Sequence, residues 1–449
     1  VVEVHGSGRR FTLGARLGRG GEGEVFEVAG EPGLVAKILF PDGRTPARLA
    51  KLQAMVDSPP AGAHDAVEGF PVLTWPRAVL FSGPSFVGYA MARVRPADFV
   101  PFSTLASEAR RRGLGGHPLT WDRMVLLALR LTHVVRTLHR FGYAVGDLND
   151  RNVLVSRRLT PLLMDTDSFQ VPRPGRRGHF PSVVGDAQYW APELLDVDLA
   201  AYAGSRVQGD LHALGVLLFQ LFMGGWRPYQ ATGSAVAGIE TPAQKAKAGL
   251  YPWESPQRGV LEPPASAPDY AALPEPVRLL FRRCFVDGHR RPGRRPTADD
   301  WHEALRKVAQ AGFRACAREP RHVFGARERA CPWCGDANDR FAAPVRRSPP
   351  RIRRIAPAVR TARPATPATL NASPPRSPSP PQTPLPLRPR APRAPPAPPP
   401  SRRKAARPKP APRERKRART PRRARRRAAG WMTWALLSLL TGLLAFKAG

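Results

Sequence analysis

Three oxygen-bearing side chains, Asp147, Asn152 and Asp165, open the chemistry of this chain. They stand in Asp147-Leu148-Asn149-Asp150-Arg151-Asn152, with Asp165 thirteen residues further on. A carboxylate can take a proton from a hydroxyl, and carboxylate and amide oxygens are hard donors of the kind magnesium selects. Asp and Asn also populate loops simply because their side chains bond back to the backbone. Far upstream lies Gly18-Arg19-Gly20-Gly21-Glu22-Gly23-Glu24-Val25. Glycines let backbone amides approach phosphate oxygens with no Cβ in the way. The G-x-G-x-x-G spacing is weak by itself, since a plain glycine hairpin has the same letters. Here it falls between two strand patterns, not ahead of a helix, which argues against a dinucleotide fold. Lys37 interrupts the apolar run Leu34–Leu39, and a buried cation needs an anion to meet it.

Taken together, these residues resemble the eukaryotic-like protein kinases. The match runs over roughly residues 10 to 311 and is carried by the glycine turn, Val35-Ala36-Lys37, Asp147, Asn152, Asp165, Ala191-Pro192-Glu193, Asp210 and Arg295. The resemblance implies an α+β, bilobal fold with a small β-rich lobe and a helical lobe. It also implies ATP and Mg2+. Asp147 would then be the catalytic base, and Asn152 and Asp165 would hold magnesium. Lys37 would hold the α and β phosphates beneath Gly18, Gly20, Gly23 and Val25. Glu193 would pair with Arg295 to fix the activation segment, and Asp210 would cap the amides of the catalytic loop.

The departures from the family are specific. The helix after the lysine strand, expected over Arg44–Met55, contains no Glu to pair with Lys37. Gln53 stands at about the right spacing, and another acid is the alternative. The family's His-Arg-Asp is Val145-Gly146-Asp147, so no neighbouring Arg is there to read a phosphorylated activation loop. Asn149 replaces a lysine that neutralises the transferred phosphoryl, and Asp186 replaces a threonine. Asp-Phe-Gly has become Asp165-Thr166-Asp167, followed by Ser168-Phe169-Gln170. Asp167 either adds a metal ligand, contacts Lys37 or caps a turn. Asp-Leu-Asn with Asp-x-Asp-Ser-Phe-Gln looks like a divergent bacterial branch of the family.

The elements that must position these residues follow from periodicity. Phe11–Leu17, Glu24–Val28, Leu34–Leu39 and Phe86–Val94 read as strands. Trp121–Phe141 is a strongly amphipathic helix leading into the catalytic loop, and Leu211–Phe222 is an apolar helix opened by Asp210. The expected organisation is a kinase-like domain over 1–311, with a small lobe at about 10–94 and a large lobe at about 95–311. Residues 226–268, rich in Pro and Gly, would form an irregular insert. A second module spans 312–340, where Cys316, His322, Cys331 and Cys334 supply the three thiolates and one imidazole of a tetrahedral zinc site. A redox Cys-x-x-Cys pair, or no shared site, stays open.

Composition separates the rest. The chain has 449 residues, a formal net charge of +36 and four Cys, which argues against a disulfide scaffold. Between 345 and 427 there are 26 Lys or Arg against the single acid Glu414. Residues 341–427, built of Pro, Arg, Ala, Ser and Thr, lack apolar periodicity and are expected to be a disordered linker. Residues 428–446 carry no charge, and their nineteen residues approach the ~20 that cross a bilayer. Trp431 and Trp434 suit its boundary, and the Arg-rich flank orients the kinase domain to the cytoplasm. No signal peptide is expected ahead of the first domain. The expectation is a single-pass, tail-anchored protein at the cell membrane whose cations attract anionic lipids.

The function expected from all this is a membrane-tethered serine/threonine protein kinase acting on protein substrates. A nucleotide-binding pseudokinase scaffold is the first alternative, favoured by the missing helix Glu, Asn149 and Asp165-Thr166-Asp167. A regulatory nucleic-acid binder acting through the zinc module and basic tail is the second. Attraction of nucleic acid by the Arg run alone would be non-specific.

Overall fold

The computed structural model describes residues 2–6, 8–106, 114, 117–254, 256–328, 330–332 and 334. The linker expected at 341–427 and the apolar stretch 428–446 lie outside the described residues. Among the described residues no helix is long and apolar enough to cross a membrane.

The first lobe is an antiparallel sheet of six strands. They are β1 (Val2–Gly6), β2 (Arg9–Arg19), β3 (Gly23–Val28), β4 (Leu34–Leu39) and, after a short hairpin of β5 (Ala66–Val67) and β6 (Phe70–Pro71), β7 (Ala78–Ser82) and β8 (Ser85–Ala92). The order is β1-β2-β3-β4-β8-β7, and the His5–Phe81 pairing closes the sheet on itself. The sheet thus begins at Val2, ahead of the lobe boundary expected at about residue 10. Val4 is the reason, since it is buried with Phe11, Val28, Ala36, Leu80 and Val87 in the interior of the barrel. Gly23 shows why the turn needs glycine, because a Cβ there would lie 2.3 Å from the Ile38 carbonyl oxygen of the next strand.

Helix α1 (Pro46–Asp57) follows β4. It starts two residues later than expected, because the Thr45 hydroxyl accepts from the Arg48 amide and Pro46 takes the first helical position. The lobes are stitched by backbone, with Leu163 N donating to Val72 O and Thr74 N to Leu163 O. They are also joined by Trp75, whose indole donates to Met55 O and packs edge-on against Tyr143 and Phe169.

The second lobe opens with β9 (Phe99–Pro101), α2 (Phe102–Ala106) and the long α3 (Trp121–Arg140), followed by β10 (Val153–Ser156), β11 (Pro161–Leu163), β12 (Val171–Pro172) and β13 (His179–Phe180). Then come α4 (Val207–Phe222), α5 (Pro242–Lys247), α6 (Glu275–Arg282), a π-turn at Arg283–Asp287, α7 (Gly288–Arg290) and α8 (Ala298–Ala311). Every residue of α4 from Asp210 to Phe222 is buried, as a helix apolar on all sides must be. Its first turn reaches back to Val207, so Asp210 sits inside the helix and not before it. α3 buries one face, including Val125, Leu131, Val135 and Leu138, against α4 and α8. A capping box of Thr297 and Asp300 starts α8. At its end Gly312, with φ +84°, turns the chain back into a hairpin of β14 (Phe313–Ala315) and β15 (Val323–Gly325). Phe313 of this hairpin packs on the main core, and β15 lies against α3.

Candidate active site

Strands β3 and β4 place Val25 opposite Lys37, and β8 places Tyr89 on its other side. The glycine turn closes through Gly20 N donating to Gly23 O at 2.8 Å, while Gly18 stays paired with Val25. Lys37 Nζ meets Asp167 at 3.0 and 3.2 Å, Asp165 Oδ1 at 3.3 Å and Glu22 Oε2 at 3.6 Å. Burial pulls the Lys37 pKa down. Tyr89 and the carboxylates of Asp167, Asp165 and Glu22 outweigh that and hold it well above its ordinary value.

The partner of Lys37 is therefore an acid of the second lobe, not Gln53. Gln53 Nε2 donates instead to Asp57, one turn along its own helix. Helix α1 supplies a cation in place of the family's anion. The Arg48 guanidinium bonds Asp167 and Glu22, the latter at 2.7 Å. Lys51, one turn further, donates to Pro181 O at 3.2 Å. Burial opposes the charge on the fully enclosed Asp167, but Lys37 and Arg48 overcome it and hold its carboxyl well below the usual range. Asp165 is pushed the other way, up to about 6, first by desolvation and then by the Asp167 charge beside it. Its side chain is still half exposed.

The catalytic loop is ordered around Asp147. Asn149 Nδ2 donates to Asp147 Oδ1 at 2.6 Å, Asn152 Nδ2 donates to Oδ2 at 2.9 Å, and Asp186 N donates to Oδ1 at 3.1 Å. Asn149 Oδ1 in turn accepts from the amides of Arg151 and Asn152. The residue standing in the lysine position thus aims the carboxylate from inside the loop. Asp186 is paired with Arg151 at 2.7 Å, which answers its negative charge locally. Met164 N donates to Asn152 O at 2.9 Å, bringing the segment that leads from β11 to Asp165 alongside the loop. Asp210 accepts from Val145 N at 2.6 Å, Gly146 N at 2.8 Å and the His139 ring at 3.0 Å.

A cation from elsewhere does lie against this loop, buried and bonded to backbone carbonyls. Arg206, buried at the start of α4, donates to Gly146 O at 2.6 Å and Ser182 O at 2.8 Å. Gly146 has φ +74°, and a Cβ there would lie 2.2 Å from the Ser182 hydroxyl. A side chain in the family's Arg position is excluded because Ser182 and Arg206 fill its space. Gln170 completes the unit, accepting from Arg206 N and donating to Gly204 O. Further along the activation segment, Glu193 meets Arg295 in a two-pronged pair at 2.6 and 2.7 Å.

Away from the cleft, the β14–β15 hairpin and the turn after it gather Cys316, His322, Cys331 and Cys334, whose ligand atoms all lie within 4.8 Å of one another. Cys316 Sγ is 3.4 Å from Cys334 Sγ, and Cys331 Sγ is 3.7 Å from His322 Nδ1. None of the four described cysteines is in a disulfide.

No family model matches the chain. It is similar to the protein kinase YegI of Escherichia coli K12, 30% identical over 337 residues that cover 73% of this chain and 49% of that protein. A probable serine/threonine-protein kinase of Streptomyces coelicolor is 26% identical over 225 residues, covering 48% of this chain and 30% of the other. The chain spans about half the length or less of these curated relatives. With the mixed strand and helix architecture, they support an α+β kinase-like fold.

Proposed function

We infer that this chain, a relative of bacterial protein kinases, transfers the γ-phosphoryl group of ATP to serine and threonine hydroxyls of proteins. The observation that carries this is the Asp147 carboxylate, held by Asn149 and Asn152 on a loop bonded to the segment of Asp165, which itself meets Lys37. Asp147 takes or orients the proton of the attacking hydroxyl. Lys37 holds nucleotide phosphates beneath the glycine turn, where amides without Cβ obstruction approach their oxygens.

Asn152 and Asp165 fit magnesium. Both offer hard oxygens, their segments are tied by the Met164–Asn152 bond, and the Asp165 side chain is half exposed. When bound, the ion neutralises charge that develops on the phosphoryl oxygens. Glu193 with Arg295, and Asp210 on the loop amides, act as architecture that keeps Asp147 in place. The test uses the full chain with magnesium and labelled ATP. Phosphate is expected on serine or threonine of an acceptor protein. Magnesium-dependent ATP binding without any transfer would instead mark a nucleotide-binding scaffold.

The proposal extends to the two outlying segments. Three thiols and an imidazole suit structural zinc, whose ligands at about 2.3 Å form a tetrahedron with edges of about 3.8 Å, close to the spacings seen. Metal analysis is expected to find zinc bound one to one and lost in Cys331→Ser with Cys334→Ser; a chain free of metal would sink this part. The basic stretch and the uncharged residues 428–446 tether the kinase domain to the cytoplasmic face of the membrane, with anionic lipids as partners. Membrane fractionation of the full chain against one ending at residue 427 tests the tether, and equal partition of the two would refute it.

A further inference from the structure

The clasp between Glu22 and the two cations has no part in the scheme above. Glu22 lies at the tip of the glycine turn, where nucleotide phosphates would lie under the function proposed here. Its carboxylate takes Arg48 through both oxygens, at 2.7 and 3.5 Å, and stands 3.6 Å from Lys37 Nζ. A carboxylate with both oxygens on a guanidinium presents the same face as two oxygens of a phosphate. Its backbone is anchored independently, since Phe40 N donates to Glu22 O at 2.9 Å. The half-exposed side chain can therefore swing out without opening the turn. Arg48 stays behind when it does, because the buried Asp167 also accepts from its Nη2.

We infer that Lys37 and Arg48 form a two-cation phosphate cradle, and that Glu22 is its built-in plug, displaced by the phosphates of the nucleotide. This rests on the kinase reading but adds to it a phosphate ligand from α1 and an internal competitor. The carboxylate stands in for phosphate in the nucleotide-free protein, so ATP must outbid it. The geometry also explains why α1 can dispense with a Glu: the anion that faces Lys37 comes from Asp167, which frees the helix to present a cation.

The test compares binding of MgADP and of adenosine to the full chain by calorimetry. Glu22→Gln keeps the size of the side chain and removes its charge. It is expected to tighten MgADP by about two- to fivefold, the worth of a partly exposed ion pair, and to leave adenosine unchanged. Arg48→Met is expected to weaken MgADP and to abolish most of the gain when combined with Glu22→Gln. Arg48→Lys, which keeps the charge, is expected to recover part of the affinity, and melting curves identify any variant that fails to fold. MgADP binding that Glu22→Gln leaves unchanged or weakens overturns the plug. A gain that extends equally to adenosine also overturns it, since the cleft would merely have loosened. If the unaltered chain binds neither ligand, the kinase reading itself falls, an outcome distinct from both.

Discussion

Asp147→Asn is expected to lower phosphoryl transfer by about 10²- to 10⁴-fold, the range that a positioned general base contributes. The effect should appear in kcat, with MgATP still bound, because Asp147 makes no contact with Lys37 or the glycine turn. Its neighbours explain why so small a change is so damaging. Asn149 and Asn152 each aim an amide N–H at one carboxylate oxygen, and the Asp186 backbone N–H adds a third donor. All three donors are met by an oxygen acceptor of Asp147. An amide in its place turns one of its own N–H groups toward a donor and cannot take a proton. Rapid-quench measurement of a single turnover separates the chemical step from binding. Retention of more than about a tenth of the rate would remove Asp147 from the role of base.

Arg206→Met carries the largest expected effect on stability. The guanidinium is 2% exposed and donates to two backbone carbonyls, Gly146 O and Ser182 O, from opposite sides. Hydrogen bonds made by a charged group are worth about 1.5–3 kcal/mol each, and an unmatched buried carbonyl adds a desolvation penalty. A loss of about 3–5 kcal/mol follows, and for a domain of this size a melting temperature lower by about 5–10 °C. Lysine should not restore it, since one ammonium on a flexible stem cannot reach both oxygens in a fixed fork. Transfer measured well below the melting point of the variant should fall as well, because Gly146 immediately precedes Asp147. Phosphatase treatment of the unaltered protein should leave its activity as it was. A variant that melts and turns over normally would show that the clamp holds nothing of consequence.

The sequence made some of this arrangement plain and hid the rest for physical reasons. Asp147 and Asn152 close a loop of six residues, so their spacing alone brings them together. The apolar run around Lys37 and the 3.6-residue period of Trp121–Arg140 likewise belong to single elements, and the structure differs from expectation there only at the helix end. The partners of Lys37 were hidden because they cross the molecule. Arg48 meets Asp167 from 119 residues away, and no local pattern joins them. A helix without Glu drew attention to Gln53, whose spacing was right, but Asp57 lay nearer. Arg206 was concealed in the same way, since it compensates for the absent loop arginine from a different helix, 60 residues from Gly146. β1 was missed because one inward valine, Val4, is too short a pattern to count.

The activation segment has a consequence at the scale of the cell. Of its hydroxyl residues, Thr166, Ser182 and Tyr189 are buried, Ser182 beneath Gly146, and the Ser168 hydroxyl is tied to Asp165 O. A kinase that must be marked on this segment by its own twin ignites: output stays near zero until copies meet often enough, then climbs with the square of their number, and the mark outlasts the stimulus. Arg206 already holds the segment through Ser182 O, so under the function proposed here no such mark is expected between 169 and 188, nor the threshold and memory it would bring. The output of this chain is then expected to rise in simple proportion to copy number and to how many of its targets stand within reach.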